Sequence, residues 1–229
     1  MKRNTRFAVD YMFIGKMLPS AVLMLAVIGL ILGQAAGRDG RINPEEDVTI
    51  LENGPLPGVC SGDIIFRRGR SLVSTLVLLN DRESPFSHTG IVALEDGIPY
   101  VIHAVPGEPG KNGEELVKRD LLTEFLSPEK AAQFAVFRLK NDDPEAVFQA
   151  AAAAEKYYQN RLAFDKAFSI RSDDRLYCTE LVWKAYLSAG LNLTGNRFAR
   201  TNASFIADSL ILPGHILNSP LLYEVYSHY

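Results

Sequence analysis

The chain has 229 residues, 47% of them apolar and 22% charged, which is enough for one well-filled core and not the composition of a disordered or fibrous protein. Its 24 Lys and Arg against 27 Asp and Glu leave a formal charge of −3. With no basic stripe in the sequence, nucleic acid is not an expected partner.

Residues 1–41 differ from the rest. Lys2, Arg3, Arg6 and Lys16 precede an uncharged run from Met17 to Gly37 that Arg38 closes. The run matches the ~20 residues a membrane-spanning helix needs, and it is apolar all round, unlike a buried amphipathic helix. The positive flank places its start in the cytoplasm and whatever follows outside. The expectation is an exported domain, periplasmic or at the cell surface. It is held by an uncleaved transmembrane anchor, or secreted if the small residues Gly33, Ala35 and Ala36 form a signal-processing site. A polar tether begins at Arg38, residues 42–57 read as linker, and residues 58–229 read as the folded domain.

That domain opens with Gly58-Val59-Cys60-Ser61-Gly62-Asp63 and a short strand, Ile64-Ile65-Phe66. Leu72, Leu76 and Leu79 at helical spacing predict a short helix within 67–80, followed by turn chemistry through Pro85. Phe86–Leu94 and Pro99–Val105 read as strands joined by Glu95-Asp96-Gly97-Ile98, where Asp-Gly signals a tight hairpin. If Asp96 and Gly97 are the turn, Glu95 pairs with Ile98 and Gly90 with His103. His88 and His103 then become diagonal neighbours on one face. A slip of one residue would separate them. Pro106–Gly113 reads as a loop, Glu114–Arg119 as a strand, Leu121–Leu126 as a short helix capped by Asp120, and Phe134–Leu139 as a strand. Asp143-Pro144 starts a helix reaching about Tyr158, with Asp at the N-cap and Pro at N1. The tail from Asn192 shows no clear period.

Between them lies Arg175–Tyr186, an amphipathic helix in which Cys178, Leu181, Val182, Ala185, Tyr186 and Ala189 share one face. Glu180 and Lys184 are four apart on the other face, Asp173 or Asp174 would cap the start, and Gly190 the end. Cys178 then lies in the first turn, where the helix dipole should lower its pKa and favour thiolate. With Cys60 the only other cysteine, a Cys60–Cys178 disulfide in a non-catalytic binding domain is a competing reading for an exported chain. Zinc at His88, His103 and Cys178 lacks the short ligand spacings of a zinc motif. No nucleotide or metal motif is present, and no cofactor is expected.

The order Gly62-Asp63-Ile64-Ile65-Phe66, Ser87-His88-Thr89-Gly90-Ile91-Val92, Val101-Ile102-His103-Ala104, Leu176-Tyr177-Cys178-Thr179-Glu180-Leu181-Val182 resembles the circularly permuted papain-like amidases. These are grouped with the NlpC-type cell-wall peptidases and related to the lecithin:retinol acyltransferase-like enzymes. The resemblance covers most of the chain after Gly58. It implies an α+β papain-like fold, permuted, with an antiparallel sheet packed against helices. It also implies a thiol hydrolase in which Cys178 is the nucleophile, His88 the general base and His103 the third polar residue. Many permuted amidases carry an acidic residue at that third position and the acyltransferase relatives a histidine, so His103 leans toward the latter. The implied substrates are a cell-wall peptide amide or, alternatively, an acyl-amide or lipid substrate handled at the membrane surface by a thioesterase or acyltransferase. Tyr177 and Asp63 are candidates for substrate contact, each with a structural alternative: core packing for Tyr177, a turn and strand start for Asp63.

Overall fold

Asp96 and Gly97 take φ of 50° and 79°, the left-handed backbone that a two-residue hairpin turn needs and that few residue types tolerate. This turn joins β2 (His88–Glu95) to β3 (Ile98–Ala104) with Glu95 opposite Ile98 and Ile91 opposite Ile102. The register is the expected one. The computed structural model describes residues 56, 58–108, 113–141, 143–200 and 209–229. The apolar run 17–37 and its tether lie outside the described residues. Among those described, no helix is long and apolar enough to cross a membrane.

In chain order, β1 (Ile64–Gly69) leads into α1 (Leu72–Asn80). After the hairpin come β4 (Val117–Leu121), α2 (Leu122–Phe125), β5 (Ala131–Leu139) and α3 (Pro144–Gln159). The two-residue strands β6 (Ala163–Phe164) and β7 (Arg175–Leu176) precede α4 (Cys178–Ser188). Strands β8 (Ala199–Arg200) and β9 (Ser209–Leu210), α5 (Pro213–Leu217) and β10 (Leu222–His228) complete the fold.

Six strands form one antiparallel sheet in the order β10-β5-β1-β2-β3-β4. Alternation along the strands splits the core in two. Ile64, Phe66, Ile91, Ile102 and Phe137 pack against Ala150 and Ala154 of α3 and Leu181, Val182, Ala185 and Tyr186 of α4. Ile65, Val92, Val101, Phe134 and Val136 meet Leu122, Phe125 and Leu126 on the other side. The architecture is α+β with helices against an antiparallel sheet, as expected. The structure departs from the sequence reading in several elements, and β6, β8, β9 and α5 are additions to it. β1 runs on through Gly69, so α1 starts only at Leu72, capped by Ser71 through the N–H of Ser74. The tail supplies β10, which closes the sheet against β5. Arg175 and Leu176 are strand, paired in parallel with Ala163 and Phe164, not the start of the helix.

Candidate active site

Helix α4 starts at Cys178 itself, with Tyr177 as its N-cap residue. The expected capping by Asp173 or Asp174 does not occur, because β7 intervenes. The Tyr177 N–H is instead taken by Glu180 Oε2 at 3.3 Å. Helix α4 then runs along the sheet: the Cys178 thiol lies near the backbone N–H of Thr89, and Tyr186, two turns on, donates its hydroxyl to the Gly62 carbonyl. The helix packs on the Phe66 face, so its first residue reaches the sheet at the end of β2, one residue from His88. Among the described residues, no hydrogen bond joins the thiol to either histidine ring.

Helix-start placement was expected to lower the thiol pKa; the structure reverses the sign. Desolvation pushes Cys178 up to about 11, outweighing hydrogen bonds from the N–H groups of Thr89, Thr179 and Cys178. The residue is nonetheless partly exposed.

His88 and His103 point to the Phe125 face, where that ring lies 5.6 Å from one and 5.0 Å from the other. They meet there because Gly90, opposite His103, has no side chain: a Cβ would stand 2.6 Å from Val101 Cγ1 and 3.0 Å from His103 Cβ. His88 Nε2 lies 2.9 Å from His103 Nδ1, and His103 Nε2 lies 3.1 Å from Asp120 Oδ2. An ionised carboxylate only accepts, so His103 Nε2 carries a proton, its bare Nδ1 accepts from His88 Nε2–H, and His88 Nδ1 is the unprotonated nitrogen. One carboxylate thus sets both tautomers. Asp120 stays ionised: its partners His103 and Lys118 hold it far below the usual carboxylate range in spite of burial. Burial, with Arg67 and Lys118 nearby, lowers both histidines; Asp120 opposes this for His103 alone.

Asp120 was expected to cap α2. It does not: Leu121 is the N-cap residue there, with no side-chain cap. His103 and Asp120 are 17 positions apart and no sequence pattern links them; the pairing of β3 with β4 does, placing His103 beside Lys118 and Val101 beside Asp120.

Around this chain sits an ionic cluster. Arg67, opposite His88 in the sheet, is buried and donates to the Phe125 carbonyl and to Glu108 at 2.8 and 2.9 Å. Lys118 lies 3.1 Å from Asp120 and 3.4 Å from Glu108.

The other proposed residues fall elsewhere. The Asp63 carboxylate is taken by Arg138 at 2.7 and 2.8 Å and by the Cys60 N–H. Asp63 pairs near Val92, three residues or roughly 10 Å along β2 from Thr89; it belongs to the far end of the sheet and is not brought to the thiol. Tyr177 is 2% exposed, and its hydroxyl accepts the Ile211 N–H at 2.8 Å, so it ties the 209–211 segment to α4. Cys60, beside Asp63, is a free thiol like Cys178, so the structure holds no Cys60–Cys178 disulfide. Glu180, expected on a solvent face, is fully buried.

Residues 59–226 match the profile of a family described as permuted papain-like amidase enzyme, YaeF/YiiX, C92 family. The uncharacterized protein YiiX of Escherichia coli strain K12 is 33% identical over 129 residues, 56% of this chain and 58% of that protein, so the chain spans a little over half the length of this relative. A crystal structure described as metalloprotein YiiX from Escherichia coli O157:H7 superposes with a TM-score of 0.60 at 25% identity, over 74% of this chain and 97% of that one.

Proposed function

This chain belongs to the permuted papain-like amidase family, and from that membership we propose that it is an exported cysteine hydrolase that cleaves an amide through an acyl-enzyme, with a cell-wall peptide as its substrate class. The observation that carries the reading is the hydrogen-bonded run Asp120–His103–His88, ending one residue from the thiol at the start of α4.

Catalysis starts from a neutral pair, since burial raises the thiol and lowers the imidazole. As Cys178 Sγ attacks the amide carbon, its proton passes round the end of β2 to His88 Nδ1. This transfer needs a bridging water or a shift of the thiol, because the ring lies on the Phe125 face and α4 on the other. The imidazolium gains a partner in His103, whose other nitrogen faces the Asp120 carboxylate. The tetrahedral oxygen takes hydrogen bonds from the backbone N–H groups at the start of α4, where the dipole is positive. His88 then returns the proton to the leaving amine, and water activated by the same nitrogen releases the acyl group. His103 in place of a carboxylate favours a second reading, an acyl transfer or thioester cleavage on a lipid substrate.

The relative described as a metalloprotein raises the question of a metal here. His88 Nε2 and His103 Nδ1 are directed at each other, and His103 Nε2 at Asp120. No cluster of three or more His, Cys, Asp or Glu among the described residues fits a metal ion. The donors do not converge on one point, and no step is routed through a metal.

The test is turnover of a cell-wall peptide amide by the purified chain and by Cys178→Ala. Loss of all cleavage in the variant supports the reading, and retained cleavage overturns it. Fatty-acid release from lipid with no peptide cleavage decides for the second reading.

A further inference from the structure

We propose that α1 is a bilayer-docking surface that holds the His88 end of the sheet against an anionic membrane. Helix α1, Leu-Val-Ser-Thr-Leu-Val-Leu-Leu-Asn, contains six apolar residues in nine and buries none of them. Leu72 is 71% exposed and Leu79 42%, while Val73, Leu76, Val77 and Leu78 are only partly covered. A helix apolar on every side is ordinarily enclosed by protein or by lipid, and a contiguous exposed patch of this kind marks an interaction site.

Its place in the fold gives the patch a consequence. The helix springs from the end of β1 where Arg67 pairs with His88. The Gly69 N–H donates to Ser87 Oγ at 2.9 Å, and Ser87 directly precedes His88. A surface seated on α1 is therefore seated beside the histidines.

Three observations favour lipid as the occupant. Exposed Arg70 stands before the helix and exposed Arg82 after it, the arrangement of an interfacial helix with cationic flanks over anionic headgroups. The acidic residue at its C-cap, Asp81, is turned inward and holds the Gly214 N–H at 2.6 Å, which withdraws its carboxylate from that surface. The linker expected over residues 42–57 ends before Leu56, which is buried in the core with Ile65 and Phe125. The 18 residues from Arg38 to Pro55 join it to the apolar run, and a tether of that length reaches at most roughly 65 Å. If that run is an anchor, even weak contacts at α1 suffice, because docking is intramolecular. The inference rests on the anchor expectation and on α1, and not on which bond the site cleaves.

The full chain is co-reconstituted with vesicles of phosphatidylcholine and phosphatidylglycerol, with and without brominated acyl chains. Leu72→Trp and Leu79→Trp each place a fluorophore on α1, Phe148→Trp places one on the exposed surface of α3, and unmodified protein supplies the Trp183 background. An interfacial helix lies ~5–10 Å into the acyl boundary, so the α1 reporters should be quenched by bromine roughly twofold or more beyond the α3 reporter. Equal quenching at both helices overturns the proposal. So does blue-shifted α1 emission that bromine leaves untouched, which would mean that protein, from this chain or another, covers the helix. The readout needs no turnover, so a chain that cleaves nothing still answers it.

Discussion

Cys178 shows how two environments of one atom compete. Its position at the first residue of α4 favours thiolate, while burial disfavours any charge, and burial wins with a pKa of about 11. Iodoacetamide labelling of Cys178 should therefore climb with an apparent pKa well above the ordinary thiol value of about 8.5, and labelling complete at pH 7 would contradict the neutral resting pair. The histidines mirror this. Burial lowers His88 and His103, so the base remains unprotonated below pH 6.5 and the acid limb of kcat/KM should lie under that value. Asp120 acts one ring further away. In Asp120→Asn the amide can present its N–H to His103 Nε2, which reverses both tautomers and leaves a proton on His88 Nδ1. The variant should lose roughly 10²-fold or more in kcat/KM with a native circular-dichroism spectrum. A changed pH profile would separate this role from a structural one, since Asp120 also neutralises Lys118.

The β2–β3 hairpin and α4 are the elements that make the site, and each contains one residue whose environment can be tested. Gly90 allows the two strands to carry both histidines on one face; an added Cβ meets Val101, the Ile102 carbonyl and His103 at 2.6, 2.8 and 3.0 Å. Gly90→Ala should cost about 1–3 kcal/mol in denaturant unfolding and lower activity more than stability explains, because the clash falls on His103. Glu180 sits under α4 against Lys184 at 3.1 Å, and burial pushes its carboxyl from the ordinary 4.5 up to about 8. Between those values the folded state holds a proton that the unfolded chain has released. This contribution to stability is full below pH 4.5 and is lost as pH rises through 8. Glu180→Gln should remove that slope and gain on the order of 2 kcal/mol over the native chain near pH 8. Thermal melts of both proteins from pH 5 to 9 would show the gap widening, and parallel curves would count against a buried neutral Glu180.

Across the whole molecule, the two thiols occupy opposite ends of the sheet. Cys60 stands beside Asp63 and Arg138, Cys178 beside Thr89. Thiol titration of the chain without reductant should count two thiols after denaturation. In the native state it should show one fast phase from exposed Cys60 and one slow phase from Cys178; a single bridge and no free thiol would refute the arrangement.

The sequence by itself determined what local chemistry can encode. Asp96-Gly97 dictated the hairpin and through it the meeting of His88 with His103, since a two-residue turn leaves one register. Asp143-Pro144 dictated the start of α3, where Asp143 caps the Ala146 N–H at 3.0 Å. The ordered motifs around His88, His103 and Cys178 carried the family. Only the tertiary structure decided the rest. Asp120 joined the site through the β3–β4 ladder, a non-local pairing that overrode its local preference for capping α2. Glu180 went inside because the face it occupies is covered by the packing of α4, which helical periodicity alone does not reveal. The thiol's pKa changed sign because desolvation depends on every atom around the sulfur, and a sequence fixes only those within a turn or two of it.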